Sequence, residues 1–230
     1  METKTKLQVT GIFALIGIAL SYLYTNFFFL RKPARNIPND NSLLVSPANG
    51  KVIGIRTYDL LASPESAIDY ILEKKDSSTL PGAVKILAND VATSGYVISI
   101  ALNLGNVHYQ RAPAQSTVLN KTYTPGSFKN ALKYDGETFF RFENEHNEIL
   151  LNDIQGGFKY KVVQIAGYLA RVIEDYVTVG QQVEQGAIIG LINFGSQVTV
   201  ILPSSVNLLV KEGDILIDGE TPIASIVKTI

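Results

Sequence analysis

Between Leu7 and Leu30 the chain runs for 24 residues without a charged side chain, densest in GIFALIGIALSYLY. At about 1.5 Å of rise per helical residue, roughly 20 apolar residues cross the hydrocarbon core of a bilayer. The run therefore predicts a membrane-spanning helix. Tyr22, Tyr24 and the three phenylalanines 27–29 stand at its distal end, where aromatic rings favour the membrane–water interface. A cleaved signal peptide is the rival reading, because Lys4 and Lys6 precede the run. It fits less well, since no A-x-A-like site follows and the run continues into bulky aromatics. The expectation is a retained anchor, residues 1–30, that spans from about residue 9 to residue 30, followed by one body, residues 31–230. Arg31, Lys32 and Arg35 beyond the run outnumber Lys4 and Lys6 before it. That excess places the body on the cytoplasmic side of a cell (inner) membrane, as a single-pass protein.

The remaining composition excludes several function classes. Removing Lys4, Lys6 and Glu2 leaves 18 basic against 20 acidic side chains, so the body carries −2. That balance fits neither a nucleic-acid binder nor a polybasic reader of membrane surfaces. Cysteine is absent, which removes disulfides, thiolate metal sites and a Cys nucleophile. His108 and His146 are the two histidines, so any general acid–base imidazole is one of them. No metal site is expected.

Beyond the anchor, RKPARNIPNDNS reads as a Pro- and Asn-rich linker, and LLVSPANGKVIGIRTYDLL as two short strands around a turn. Ser63-Pro64 followed by Ala67, Ile68, Ile71 and Leu72 predicts a short capped helix, and KKDSSTLPG a loop. YVISIALNL predicts a strand buried on at least one face. From there short strands alternate with turns at about ten-residue spacing, as in a β-rich domain (all-β or α+β).

One repeat is visible. Residues 177–192 are echoed by residues 209–226, with Gly180 matching Gly213 and Gly186 matching Gly219, both 33 residues apart. Two glycines six apart bracket a short apolar strand in each copy, which predicts turns at positive φ. Such paired units resemble the flattened β-sandwich of lipoyl and biotinyl carrier domains. The carrier lysine of those domains has no counterpart in FGSQVTVILP between the copies, so a cofactor-carrier role is disfavoured. Gly195-Ser196 in that segment is, by itself, an ordinary turn dipeptide.

Ordered blocks from about Phe27 to the C-terminus carry a wider resemblance. They read FFLRKPARNIP, VSPANGKV, ISIALNLGNVHYQRAP, YTPGSFKNA, FENEH, VVQIAGYLARVI and GAIIGLINFGSQVTVILP. In this order they resemble the phosphatidylserine decarboxylase family, the pyruvoyl-dependent enzymes, particularly its short membrane-associated branch. The resemblance implies that the Gly195–Ser196 bond breaks by self-catalysis. The serine hydroxyl attacks the preceding carbonyl, and the ester then eliminates. This gives a β chain of residues 1–195 and an α chain of residues 196–230 whose first residue becomes a pyruvoyl group. That cofactor would form a Schiff base with the amine of phosphatidylserine or a related aminophospholipid and act as electron sink while carbon dioxide departs. His108, in NVHYQRAP, would transfer protons, and Arg111 of the same block would bind the substrate's carboxylate or phosphate, with a structural ion pair as its other reading. His146 is expected at the surface, and Glu143 and Glu145 are expected to be structural. The cleaved chains would remain together as a heterodimer or assemble into a homo-oligomer.

Two positions depart from the family's pattern. Its PADG block reads PANG here, so Asn49 occupies the position of an aspartate assigned to the relay that activates the serine. The DVH block likewise begins with Asn106. An amide neither accepts a proton as a carboxylate does nor stabilises a cation comparably, which predicts slow self-cleavage. Two other classes stay open: a membrane-tethered non-cleaving pseudoenzyme that keeps the fold as a lipid-binding or scaffolding module, and a membrane-anchored lipoyl-like adaptor. The adaptor explains the repeat but neither VHxxRAP nor IAGxLAR.

Overall fold

The uncharged run is helical in the computed structural model, which describes residues 2–61, 88–127, 144–167, 172–193 and 196–227. The chain divides into two units, Met1–Pro33 and Ala34–Ile230. In the first, helix α1 (Glu2–Leu23) continues as a π-helical stretch over Tyr24–Phe29. Thr10–Phe29, with a mean hydropathy of 1.8, is long and apolar enough to cross a membrane. Arg31 closes its end, donating to the Phe28 carbonyl at 2.6 Å with the guanidinium 4.3 Å over the Phe28 ring. Neither helix nor strand occurs in residues 31–42, as the Pro- and Asn-rich composition predicts.

The second unit is β-rich, as expected. Its strands are β1 (Leu43–Val45), β2 (Gly50–Asp59), β3 (Ser94–Leu102), β4 (Tyr109–Arg111), β5 (Ser116–Thr124), β6 (His146–Asp153) and β7 (Lys159–Ile165). There follow β8 (Ile173–Asp175), β9 (Gln182–Val183), β10 (Ile188–Ile192), β11 (Ser196–Pro203), β12 (Val206–Leu208), β13 (Ile215–Leu216) and β14 (Pro222–Ile226). An eight-stranded sheet runs β13-β2-β3-β11-β7-β6-β5-β9, and two three-stranded sheets run β4-β10-β8 and β1-β14-β12. Val, Ile and Leu at alternate positions build the main core, including Ile98, Ile100, Val162, Val198, Val200 and Leu202. Val97, Val163, Ile165 and Ile201 form a second cluster on the opposite face of the large sheet. Because both faces are covered, β11 is buried along its whole length. The predicted helix beginning at Ser63-Pro64 and the KKDSSTLPG loop lie outside the described residues.

The repeat extends well beyond the 33-residue echo. VSPANGKV (45–52) matches RAPAQSTV (111–118) at a spacing of 66, sharing Pro47/Pro113, Ala48/Ala114 and Val52/Val118. The β2–β3 pair carries a bulge between Val52 and Gly54, and the β5–β6 pair carries one between Val118 and Asn120, again 66 residues on. The glycines complete the match. Gly180 and Gly213 have φ of 87° and 94°, and each donates its N–H at 2.8 Å, to Val118 and Val52 respectively. Gly186 and Gly219, at 76° and 74°, donate at 2.8 Å to Ala112 and Ser46. A bulge shifts side-chain facing, so coincident bulges show that both copies use one register. Among the described residues the unit is therefore two copies of one seven-strand arrangement, one nested in the other. The copy β4–β10 is inserted between β3 and β11 of the copy β1–β3, β11–β14, and the antiparallel β11–β7 pair joins them at the centre of the large sheet. Ser196 opens β11, directly after the inserted copy ends.

Candidate active site

Ser196 pairs with Leu102 at the first position of β11. Alternation along the strand puts its side chain on the main-core face, with Val198 and Val200. It is fully buried, and its Oγ has no hydrogen-bond partner among the described residues. A buried hydroxyl left unbonded costs about 1–3 kcal/mol, and a fold keeps such a group rarely. The other side of the expected scissile bond, Gly195, lies outside the described residues, as do Phe194 and Glu143.

His108 is also fully buried. Its Nδ1 lies 3.0 Å from the Asn106 carbonyl oxygen. A carbonyl only accepts, so Nδ1 carries the hydrogen, and Nε2 is the ring nitrogen left to exchange a proton. The peptide carbonyl of His108 accepts from the Ile192 N–H at 3.2 Å and from Gln110 Nε2 at 2.7 Å. Gln110 is the end of a buried amide ladder. Asn147 donates to Gln164 at 2.9 Å, Gln164 donates to Gln110 at 2.8 Å, and Gln110 donates to His108. Gly190 leaves room for it, since a Cβ there would stand 2.5 Å from Gln164 Nε2. The ladder was not foreseen from sequence. Its signal is Gln164 interrupting the apolar run of β7.

Asn49 and Asn106, the two departures, touch. Asn106 Nδ2 donates to Asn49 Oδ1 at 2.7 Å, and Asn106 Oδ1 accepts the Asn103 N–H at 2.7 Å. The loop before Asn49 is fixed by Ser46 Oγ, which donates to the Ala48 carbonyl at 2.7 Å, and by the Arg111 N–H on the Pro47 carbonyl at 2.9 Å. Asn49, Asn106 and His108 thus form one connected group.

Arg111 is tied elsewhere. Its Nε donates to Asp218 at 2.7 Å and its Nη1 to the Gly186 carbonyl at 2.8 Å. The fully buried Asp218 also takes Nη2 of Arg35, just past the apolar run. These contacts describe an ion-pair anchor. Asp218→Ala leaves two largely buried guanidiniums without their shared carboxylate and should destabilise the fold by about 3 kcal/mol. Thermal unfolding should then move down by about 10 °C for a body of this size. An unchanged midpoint would show that neither arginine depends on Asp218.

His146 requires a correction. Expected at the surface, it is buried, with Nδ1 2.8 Å from the Asn144 carbonyl and Nε2 3.8 Å from Glu148 Oε1. Strand alternation explains it: His146, Glu148 and Leu150 share the second face of the large sheet. There Lys161 Nζ, itself buried, bonds Glu148 at 2.7 Å and Asp90 at 2.8 Å.

Comparison with known proteins now bears on this group. The sequence pattern of phosphatidylserine decarboxylase matches residues 25–224. The chain belongs to the phosphatidylserine decarboxylase family. A relative named phosphatidylserine decarboxylase proenzyme in Geotalea uraniireducens is 35% identical over 194 residues, covering 84% of this chain and 76% of its own. The proteins of that name in Desulfotalea psychrophila and Rickettsia rickettsii are 33% and 36% identical, covering 90% and 86% of this chain and 82% and 73% of their own.

Proposed function

We propose that this chain decarboxylates phosphatidylserine to phosphatidylethanolamine through a pyruvoyl group made from its own Ser196. The observation that carries the reading is the buried Ser196 Oγ, without a hydrogen-bond partner among the described residues, in a chain of this family. An unbonded nucleophile next to a glycine carbonyl suits an intramolecular attack, because no hydrogen bond must first be broken. The ester that forms gives up its carboxylate at residue 195 by elimination. Water then enters and ammonia leaves at residue 196. The products are chains 1–195 and 196–230.

The pyruvoyl carbonyl would supply the electron sink for the departing carboxylate. His108 is the group to move protons: its Nδ1–H is committed to the Asn106 carbonyl, which directs Nε2 to the exchange. Arg111 serves the site as the anchor of the loop that bears His108. Thr10–Phe29 would hold the protein at its lipid substrate, with the basic flank and body on the cytoplasmic side.

Intact mass is the test. Two chains with a pyruvoyl terminus at residue 196 are expected, together with unbroken precursor, because position 49 offers no carboxylate. A second reading, the non-cleaving pseudoenzyme, draws on the neutral Asn49–Asn106 pair. Persistence of one chain even in Asn49→Asp would establish it.

A further inference from the structure

Asn106 contacts both Asn49 and His108, and its side-chain amide fits the contacts around it in one orientation only. Its Oδ1 accepts a backbone N–H, that of Asn103, at 2.7 Å. A backbone N–H cannot be an acceptor, so the other branch of the amide must be the NH2 group. That group faces Asn49 at 2.7 Å, and residue 49 is thereby obliged to present an oxygen. The main chain of Asn106 is held as firmly. Its N–H donates to the Asn103 carbonyl at 2.9 Å, closing a tight turn, and its carbonyl stands 3.0 Å from Nδ1 of His108.

We propose that Asn106 is the positioning residue of this site, linking residue 49 to His108 and fixing the Nδ1–H tautomer and the orientation of the His108 ring. The proposal rests on the reading of His108 as the proton-handling group. Chemistry at the pair is restrictive. Asparagine and aspartate both supply the oxygen that Asn106 demands at position 49, and aspartate does so as the stronger, charge-assisted acceptor. Aspartate at 106 would still accept the Asn103 N–H, but Asn49 would have to turn its amide to donate. Aspartate at both positions would bring two carboxylates to hydrogen-bond distance, where they must share a proton. The two positions therefore act as a unit that holds at most one full negative charge beside His108. Asn106 at its centre keeps the Nδ1–H form whichever acceptor stands at 49.

The experiment has two readouts. The first is the 15N spectrum of the full chain carrying Ser196→Ala, labelled at its two histidines and assigned through His146→Gln. His108 should show the Nδ1–H tautomer in that chain. Adding Asn106→Ala, which removes both side-chain hydrogen bonds of the turn, should give a mixture of the two tautomers. Adding Asn106→Asp should retain Nδ1–H. A merely structural role would lower stability without moving this ratio, so an unchanged tautomer in Asn106→Ala overturns the proposal. The second readout is the rate at which the 35-residue chain appears in the Ser196-bearing protein. The acceleration given by Asn49→Asp should fall about tenfold when Asn106→Ala is added, the loss expected when positioning hydrogen bonds go. Equal acceleration with and without Asn106 overturns the proposal. If no variant cleaves, the self-cleavage reading fails, and the tautomer still decides the role of Asn106.

Discussion

Ser196→Ala should leave the protein as a single chain near 25.1 kDa, with no 35-residue fragment at any age of the preparation. The expectation is total loss, because the attacking oxygen is gone and no other group occupies its place in the reaction. The geometry also separates this effect from misfolding. Ser196 Oγ makes no hydrogen bond among the described residues, and its neighbours on the strand face are Val198 and Val200. Replacing the hydroxymethyl side chain by a methyl group removes the desolvation cost of that hydroxyl and loses no hydrogen bond among the described residues. Ser196→Ala should thus unfold at the same temperature as the parent precursor or higher. Intact mass and thermal unfolding on the same sample check both halves. Continued appearance of residues 196–230 in Ser196→Ala would place the scissile bond or its nucleophile elsewhere. A large fall in unfolding temperature would mean that Oγ is bonded in the folded chain.

Much of the architecture could be read from residue order, and the reasons are local. Uncharged length predicts a helix from about residue 9 to residue 30, where the structure has one over residues 2–29, since nothing but lipid or a thick core accepts such a run. Glycines at 180, 186, 213 and 219 predict positive φ, because only glycine adopts it without strain. The nested duplication was half legible. A 33-residue echo shows itself within one stretch of chain, whereas the 66-residue match between VSPANGKV and RAPAQSTV retains three identities in eight positions. Strand pairing reveals that match, because a bulge conserves its place in the ladder after side chains have diverged. His146 was misjudged for a related reason. Its neighbours Asn144, Glu145 and Asn147 are polar, and polarity suggests a surface. Here the covered second face carries polar side chains beside its apolar cluster: Lys161 satisfies Glu148, and the burial of one requires the burial of the other. The Asn49–Asn106 contact was invisible for a third reason. Residues 57 apart carry no mark of proximity when each is a small polar side chain in its own turn.

The other large effect concerns His108. Substitution by alanine would remove the imidazole, but it would also open a gap in a fully buried place and release the Asn106 carbonyl. His108→Asn is the sharper variant. An asparagine amide nitrogen stands close to where Nδ1 stands, so it can still donate to the Asn106 carbonyl. Nothing in it replaces Nε2. The positioning contact is kept and the proton-handling nitrogen is lost. Turnover of phosphatidylserine per matured chain should fall by about 10²–10⁴-fold, the usual contribution of a general acid–base group. The unfolding temperature should change little. His108→Gln offers the complement: its longer amide reaches toward the Nε2 position but leaves the Asn106 carbonyl unpaired, so it should lose stability as well as turnover. The pair of variants separates two roles that alanine confounds. If His108→Asn turns over at the parent rate once matured, Nε2 does not handle the proton, and the buried imidazole is there to hold the 106–111 loop. If both variants mature at the parent rate and lose only turnover, His108 serves the decarboxylation step, and activation of Ser196 falls to the group at position 49.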